Sequence, residues 1–306
     1  MEKALKKPFV IHRSNVFWIL TVHVLALAAI PFFTWSLFWV AMVGVFIVAP
    51  LGINMGYHRL LTHQAFRSPN WLTYTLVTIG AALGGGAPIY WAAAHRAHHH
   101  FSDQEGDPHN SRRGFWYSHV LHLFNFTSEE STGSEVKKYA SDLTKDTYLV
   151  WLNKNWLWFA VATIPLAYAL GGVGLVLCGV FFRLALMWNI MWFVNSASHK
   201  WGYQTYKTND ETRNCWWVGL LAAGEGWHNN HHAFPRCAAH GRKWWEMDTT
   251  YMMIRGLEKM GIISHVKHAV EPKMEFDPYP MPLTQPPHLP TVTQPQSEYL
   301  AESPLE

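Results

Sequence analysis

Residues 14–57 read SNVFWILTVHVLALAAIPFFTWSLFWVAMVGVFIVAPLGINMGY, with no Asp, Glu, Lys or Arg anywhere in the run. A bilayer-crossing helix needs roughly 20 such residues, so this run is long enough to cross twice. Pro31 and the aromatic cluster Phe32, Phe33 and Trp35 mark the turn, which predicts spans near residues 16–33 and 36–55. The run is too long, and passes too directly into a second span, for a cleavable signal peptide. A second apolar stretch, residues 155–198, is interrupted by Arg183 and broken at Gly171 and Gly172. It predicts another hairpin, with spans near 156–170 and 174–195, in which Arg183 faces the bundle interior and pairs with carbonyls or a polar partner. Residues 68–94 are also uncharged, but Gly84, Gly85, Gly86 and Pro88 break them. They are expected to form a helix lying at the membrane surface or partly sunk in it.

The rest of the chain agrees with a membrane class. Charged residues make up 15% of the chain, against roughly a quarter in soluble globular proteins. With 17 Trp and 19 His, aromatic and imidazole rings far exceed what a soluble core uses. A net charge of +3, without a long basic run, argues against nucleic acid as the main partner. Cys178, Cys215 and Cys237 form no CxxC pair, as expected of a reducing, cytosolic setting. Basic residues collect on the cytoplasmic side of membranes. Here Lys3, Lys6, Lys7 and Arg13 precede the first span, nine more from Arg59 to Lys154 lie between the hairpins, and the hairpin tips carry none. Both termini, the middle segment and residues 199–270 are therefore expected in the cytosol. The expected fold is an all-α integral membrane protein: four transmembrane helices in two hairpins under a helical cytosolic cap. Residues 14–270 form its one domain, after a short cytosolic segment 1–13 and before a proline-rich, disordered tail 271–306.

The histidines are grouped. His58 and His63 stand in GYHRLLTH, His95, His98, His99 and His100 in HRAHHH, His228, His231 and His232 in GEGWHNNHH, and His199 in NSASH. An HxxHH pattern sets i, i+3 and i+4 on one helical face, so its rings converge. The five-residue step from His58 to His63 does not suit a regular helix, which predicts a helix end near His58. His58 and His199 both fall just beyond a predicted span at the same membrane face. The boxes can meet there, at the cytosolic mouth of the bundle. Nine or ten imidazole ligands exceed the four of structural zinc and imply two metal ions. Iron, which keeps open positions for oxygen, fits a redox role that zinc does not offer. Asp103, Glu105, Asp107 and Glu225 flank the boxes. Of these, Asp107 and Glu225 are expected to accept a hydrogen bond from the N–H of a ligating ring, and the other two to be surface acids. Isolated histidines such as His12, His23 and His240 are read as surface or packing residues, and most Trp rings as interfacial anchors.

These motifs, together with HRAHHHFSDQEGDPHNSRRGFWYSHV from His95 and NSASHKWGY from Asn195, resemble the membrane fatty-acid desaturases with three histidine boxes, in particular their delta-9 branch. The resemblance covers roughly residues 14–270. It implies a di-iron centre that uses O2 and two electrons to introduce a cis double bond into a saturated acyl chain. It implies one iron on His58, His63, His95, His98 and His231, and the other on His99, His199, His228 and His232, with Asn195 acting through a water. It likewise implies that Trp91 and Trp192 line an acyl tunnel, and that a ferredoxin, rubredoxin or cytochrome b5-like protein donates electrons. Animal acyl-CoA members of the family place an Arg-Asp pair directly before the second box, where this chain has Ala93 and Ala94. A glycerolipid acyl substrate is therefore expected over acyl-CoA. The rival readings are a hydroxylase on the same scaffold and a non-enzymatic metal or haem membrane protein.

Overall fold

The computed structural model describes residues 11–125 and 134–268. Most of segment 1–13 and the whole of tail 271–306 lie outside the described residues. Among the described residues the chain is helical, with only isolated two-residue bridges such as Arg67–Ser264 and no strand. Three helical stretches are long and apolar enough to cross a membrane: Arg13–Phe32, Trp35–Thr62 and Thr147–His199.

The first of these contains α1, Arg13–Leu27, followed by a short 3-10 turn Ile30–Phe32 that carries Pro31. The second, α2 (Trp35–Thr62), starts at Thr34, whose hydroxyl accepts from the Leu37 N–H at 3.2 Å. The short helices α3 (Asn70–Ala82) and α4 (Pro88–Phe101) follow, separated at Gly84–Ala87 where glycine and proline were expected to break the apolar run. At 13 residues α3 is about 20 Å long, short of a roughly 30 Å hydrocarbon core. It lies against α2, and glycines make the approach possible: a Cβ on Gly52 would stand 2.5 Å from the Gly80 backbone nitrogen.

The third stretch, α5 (Thr147–His199), begins where the Asp146 carboxylate accepts from the Leu149 N–H at 3.0 Å. Gly171 (φ −160, ψ 20) and Gly172 (φ 62, ψ −159) leave helical geometry, dividing it into two limbs. Only glycine adopts the second of these conformations freely. The first limb, α1 and α2 turn large apolar side chains outward, among them Phe17, Leu20, Trp39, Ile47, Trp158 and Leu166. Such faces are stable only if a nonaqueous phase covers them. Arg183 is buried, and its guanidinium donates to the carbonyls of Leu83 (3.0 Å) and Gly179 (3.3 Å).

One expectation fails. α2 does not end near His58 but continues to Thr62, because residues Pro50–Thr62 form a π-helix. In a π turn the bonded residues are five apart. The His63 N–H donates to the His58 carbonyl at 3.1 Å, and the two rings come to 4.7 Å. The HxxxxH spacing is thus a π-helical counterpart of HxxHH. Beyond α5, the short helices α6 (Trp216–Leu221) and α7 (His228–Ala233) and the helix α8 (Thr249–Lys259) pack around the histidine-bearing ends.

Candidate metal centre

The nine histidines that the resemblance implies as iron ligands converge in two groups. Ring nitrogens of His58, His63, His95, His99 and His231 lie within 4.8 Å of one another, as do those of His98, His199, His228 and His232. The first group draws on α2, α4 and α7, and the second on α4, the end of α5 and α7. The groups adjoin at the stacked rings of His99 and His232, 4.3 Å apart. This grouping corrects one detail. His99 belongs with the five and His98 with the four, whereas the resemblance implied the reverse. Neighbouring residues on a helix point about 100° apart, so the rotation of α4 within the bundle decides which cluster each one enters.

Four of the rings are oriented by carboxylates. The Nδ1 of His58 lies 2.6 Å from Glu225, that of His98 2.9 Å from Asp107, that of His199 2.9 Å from Asp103, and that of His232 2.7 Å from Asp210. An imidazole N–H donating there leaves the Nε2 lone pair free on the opposite side. The Nε2 atoms of His63, His98, His199 and His232 are buried without a partner. The Nε2 of His99 faces those of His95 (3.1 Å) and His231 (2.9 Å). Buried lone pairs aimed at one another are costly. Two cations set among them would resolve both features, and nitrogen donors suit iron among other transition metals.

Electrostatics keep these donors available. Burial, reinforced by neighbouring rings, pushes His63, His95, His99, His228 and His231 well below the usual histidine pKa. Burial likewise lowers His98, against the pull of Asp107. Neutral imidazole is the ligating form. Burial opposes the charge of Asp103, Asp107 and Asp210, yet their histidine partners hold all three carboxyls below the ordinary range.

The family sequence model described as fatty acid desaturase matches residues 33–265. The chain belongs to the fatty acid desaturase family. It is 42% identical over 253 residues (82% of this chain, 89% of the relative) to an sn-2 palmitoyl-lipid 9-desaturase of Nostoc sp. (strain 36). It is 42% identical over 257 residues (83% and 93%) to an sn-1 stearoyl-lipid 9-desaturase of Anabaena variabilis, and 37% identical over 259 residues (83% and 80%) to an acyl-CoA 5-desaturase, AL21, of Anemone leveillei. The protein is thus an oxidoreductase that introduces a double bond into an acyl chain.

In this desaturase, Trp91 stacks on His95 (5.1 Å) and meets His58 and Tyr57 edge-on. Trp192 is buried between His23, His119 and Trp188. Asn195 is half-buried one helical turn before His199. His100 points away, exposed beside Phe101 and Tyr139.

Sequence reasoning undervalued three residues. Asp103, expected to be a surface acid, is buried and bonds His199; its position between two boxes was a usable signal. Asp210 sits in a loop with no motif to mark it. His240 is 1% exposed, its ring 4.3 Å from that of His231, with Glu225 3.2 Å from its Nδ1. Beneath these lies Arg59, fully buried, bonded to Glu225 (2.9 Å), to Asp248 (2.9 and 3.0 Å) and to the Ala238 carbonyl (2.6 Å). That clamp ties α2 to the segments carrying the third box.

Proposed function

We propose that the desaturase is a multi-pass membrane enzyme with four spans, the two limbs of α5 forming the second hairpin, and with the histidine cap and both termini in the cytosol. The two histidine groups would hold two irons, one on His58, His63, His95, His99 and His231 and the other on His98, His199, His228 and His232, with Asn195 acting on the second through a water. The observation that carries this reading is the pairing of two converging sets of buried imidazole lone pairs with carboxylates behind them. When bound, the two irons supply, with O2 and two electrons, the oxidising power that unactivated C–H bonds require. The balance is –CH2–CH2– + O2 + 2e− + 2H+ → –CH=CH– + 2H2O. Electrons come from a separate carrier of the ferredoxin, rubredoxin or cytochrome b5 type.

The chain's own residues orient and exclude. Glu225, Asp103, Asp107 and Asp210 fix ring orientation. Trp91, held against His95, and Trp192, held by its ring neighbours, wall the acyl path and set which carbons approach, where a displacement of about 1 Å can cost on the order of a hundredfold in rate. Burial of seven of the nine rings, with His95 and His99 partly buried, restricts the access of bulk water. The double bond is placed cis at delta-9 in a glycerolipid acyl chain. The printed activities of the Nostoc and Anabaena relatives support this, as does the absence of cationic side chains at Ala93 and Ala94 to meet a coenzyme A phosphate.

The test is expression in a desaturase-deficient host, with lipid analysis for double-bond position and glycerolipid class. Delta-9 olefin on intact glycerolipid is expected. Hydroxylated chains without olefin, or activity confined to acyl-CoA, would overturn the assignment.

A further inference from the structure

The two histidine groups have the same kind of donor but different charge behind them. In the group of four, three rings are backed by carboxylates: His98 by Asp107, His199 by Asp103 and His232 by Asp210. The other partners of these acids are neutral. Asp103 accepts from the Ser111 hydroxyl and N–H and the Glu211 N–H. Asp107 accepts from the N–H groups of Asp103 and His109, and Asp210 from Thr208 and Thr212. Among the described residues, none of the three has a Lys or Arg as a hydrogen-bond or ion-pair partner. In the group of five, among the described residues, only His58 rests on a carboxylate. That acid, Glu225, shares its charge with Arg59, which is itself paired with Asp248. Among the described residues, no carboxylate meets a ring nitrogen of His63, His95, His99 or His231.

A carboxylate accepting a hydrogen bond from the N–H of a ligating imidazole makes that ring a stronger donor, and its uncompensated charge favours the more positive state of a nearby ion. Three such acids on one side, against one shared with a cation on the other, make the two positions unequal. We propose that, on the di-iron reading above, the two irons differ in reduction potential. The five-histidine position accepts the first electron, and the four-histidine position, held by Asp103, Asp107 and Asp210, keeps its ion ferric until the second. In each step one electron from the reductant converts one Fe3+ to Fe2+, and no bond is made or broken. The electron donor therefore meets a centre whose two ions are reduced in a defined order.

The test is a redox titration of the purified, 57Fe-loaded full chain with dithionite, followed by Mössbauer spectroscopy. Single variants Asp103→Asn, Asp107→Asn and Asp210→Asn are compared with Glu225→Gln, and with Glu258→Gln as a remote control that pairs with Arg255. Fewer than two irons in the parent protein would refute the di-iron reading itself. With two irons present, two steps are expected. Each Asp→Asn variant should raise the second by about 60 to 120 mV, equivalent to a 10- to 100-fold change, while moving the first much less. Glu225→Gln should move the first more than the second, and Glu258→Gln neither. If an Asp→Asn variant loses an iron, the remaining single step should coincide with the parent's first; coincidence with the second overturns the proposal. Equal shifts of both steps, or two identical ions at half reduction, overturn it as well.

Discussion

Replacing Arg59 with Met tests whether the centre is locked from beneath. The side chain is 0% exposed and supplies the cation for Glu225 and Asp248, which are themselves 2% and 5% exposed. Met fills much of the volume but leaves two buried carboxylates facing each other and the Ala238 carbonyl without its donor at 2.6 Å. Breaking a buried ion pair by removing one partner costs about 3–5 kcal/mol, and an orphaned buried acceptor about 1–3 kcal/mol more. Against total stabilities of roughly 5–15 kcal/mol this is a large fraction. In a thermal melt in detergent, followed by tryptophan fluorescence, the midpoint should fall by about 10 °C or more, with loss of bound metal. Arg59→Lys should recover little, since an ammonium cannot span both carboxylates as the guanidinium fork does. The double variant Arg59→Met/Asp248→Asn should melt above Arg59→Met alone, because one stranded charge is gone. An Arg59→Met protein melting within about 2 °C of the parent, or a double variant no better than the single, would refute the clamp.

Three further outcomes are expected. His95→Ala or His232→Ala should abolish desaturation while the protein still inserts in membranes, as measured by product formation and membrane fractionation; near-normal activity would remove that residue from the ligand set. Gly80→Ala places a Cβ 2.6 Å from the Tyr57 ring and 2.9 Å from the Gly52 carbonyl; overpacking of this kind costs about 1–3 kcal/mol, so the melting midpoint should drop with the metal content unchanged. For the metal-free protein, the depressed pKa values of His63, His95, His98, His99, His228 and His231 mean that the unfolded chain takes up protons first as pH falls through about 6.5. Stability from these groups is thus flat above that pH and declines below it. Asp103, Asp107 and Asp210, held below their ordinary range, add a loss of the same sign at lower pH still. Melts across pH 5 to 8 that show greater stability on the acid side would contradict this.

Much of the site was legible because its pieces are local. The spacing of His95, His98 and His99 marks one face of α4, and that of His228, His231 and His232 marks one face of α7. Asp107 and Glu225 could be picked out because each lies within nine residues of the ring it serves or of the next box. Asp210 and His240 could not, since each reaches the centre along an irregular loop path that no period describes. Arg59 looked like one of many basic residues placing the middle segment in the cytosol. Its burial depends on Glu225 and Asp248, more than 160 positions away.

Uncharged length, helix punctuation at Pro31, Gly171 and Gly84–Gly86, and imidazole spacing are properties of neighbouring residues. The amino-acid order therefore determined on its own that the chain is helical and apolar and that it gathers histidines for metal. The π turn that unites His58 with His63, the division of His98 from His99 between two groups, and the unequal charge behind those groups were decided only by packing. Each depends on the rotation of one helix against another and on which distant acid that rotation brings within 3 Å of a ring nitrogen.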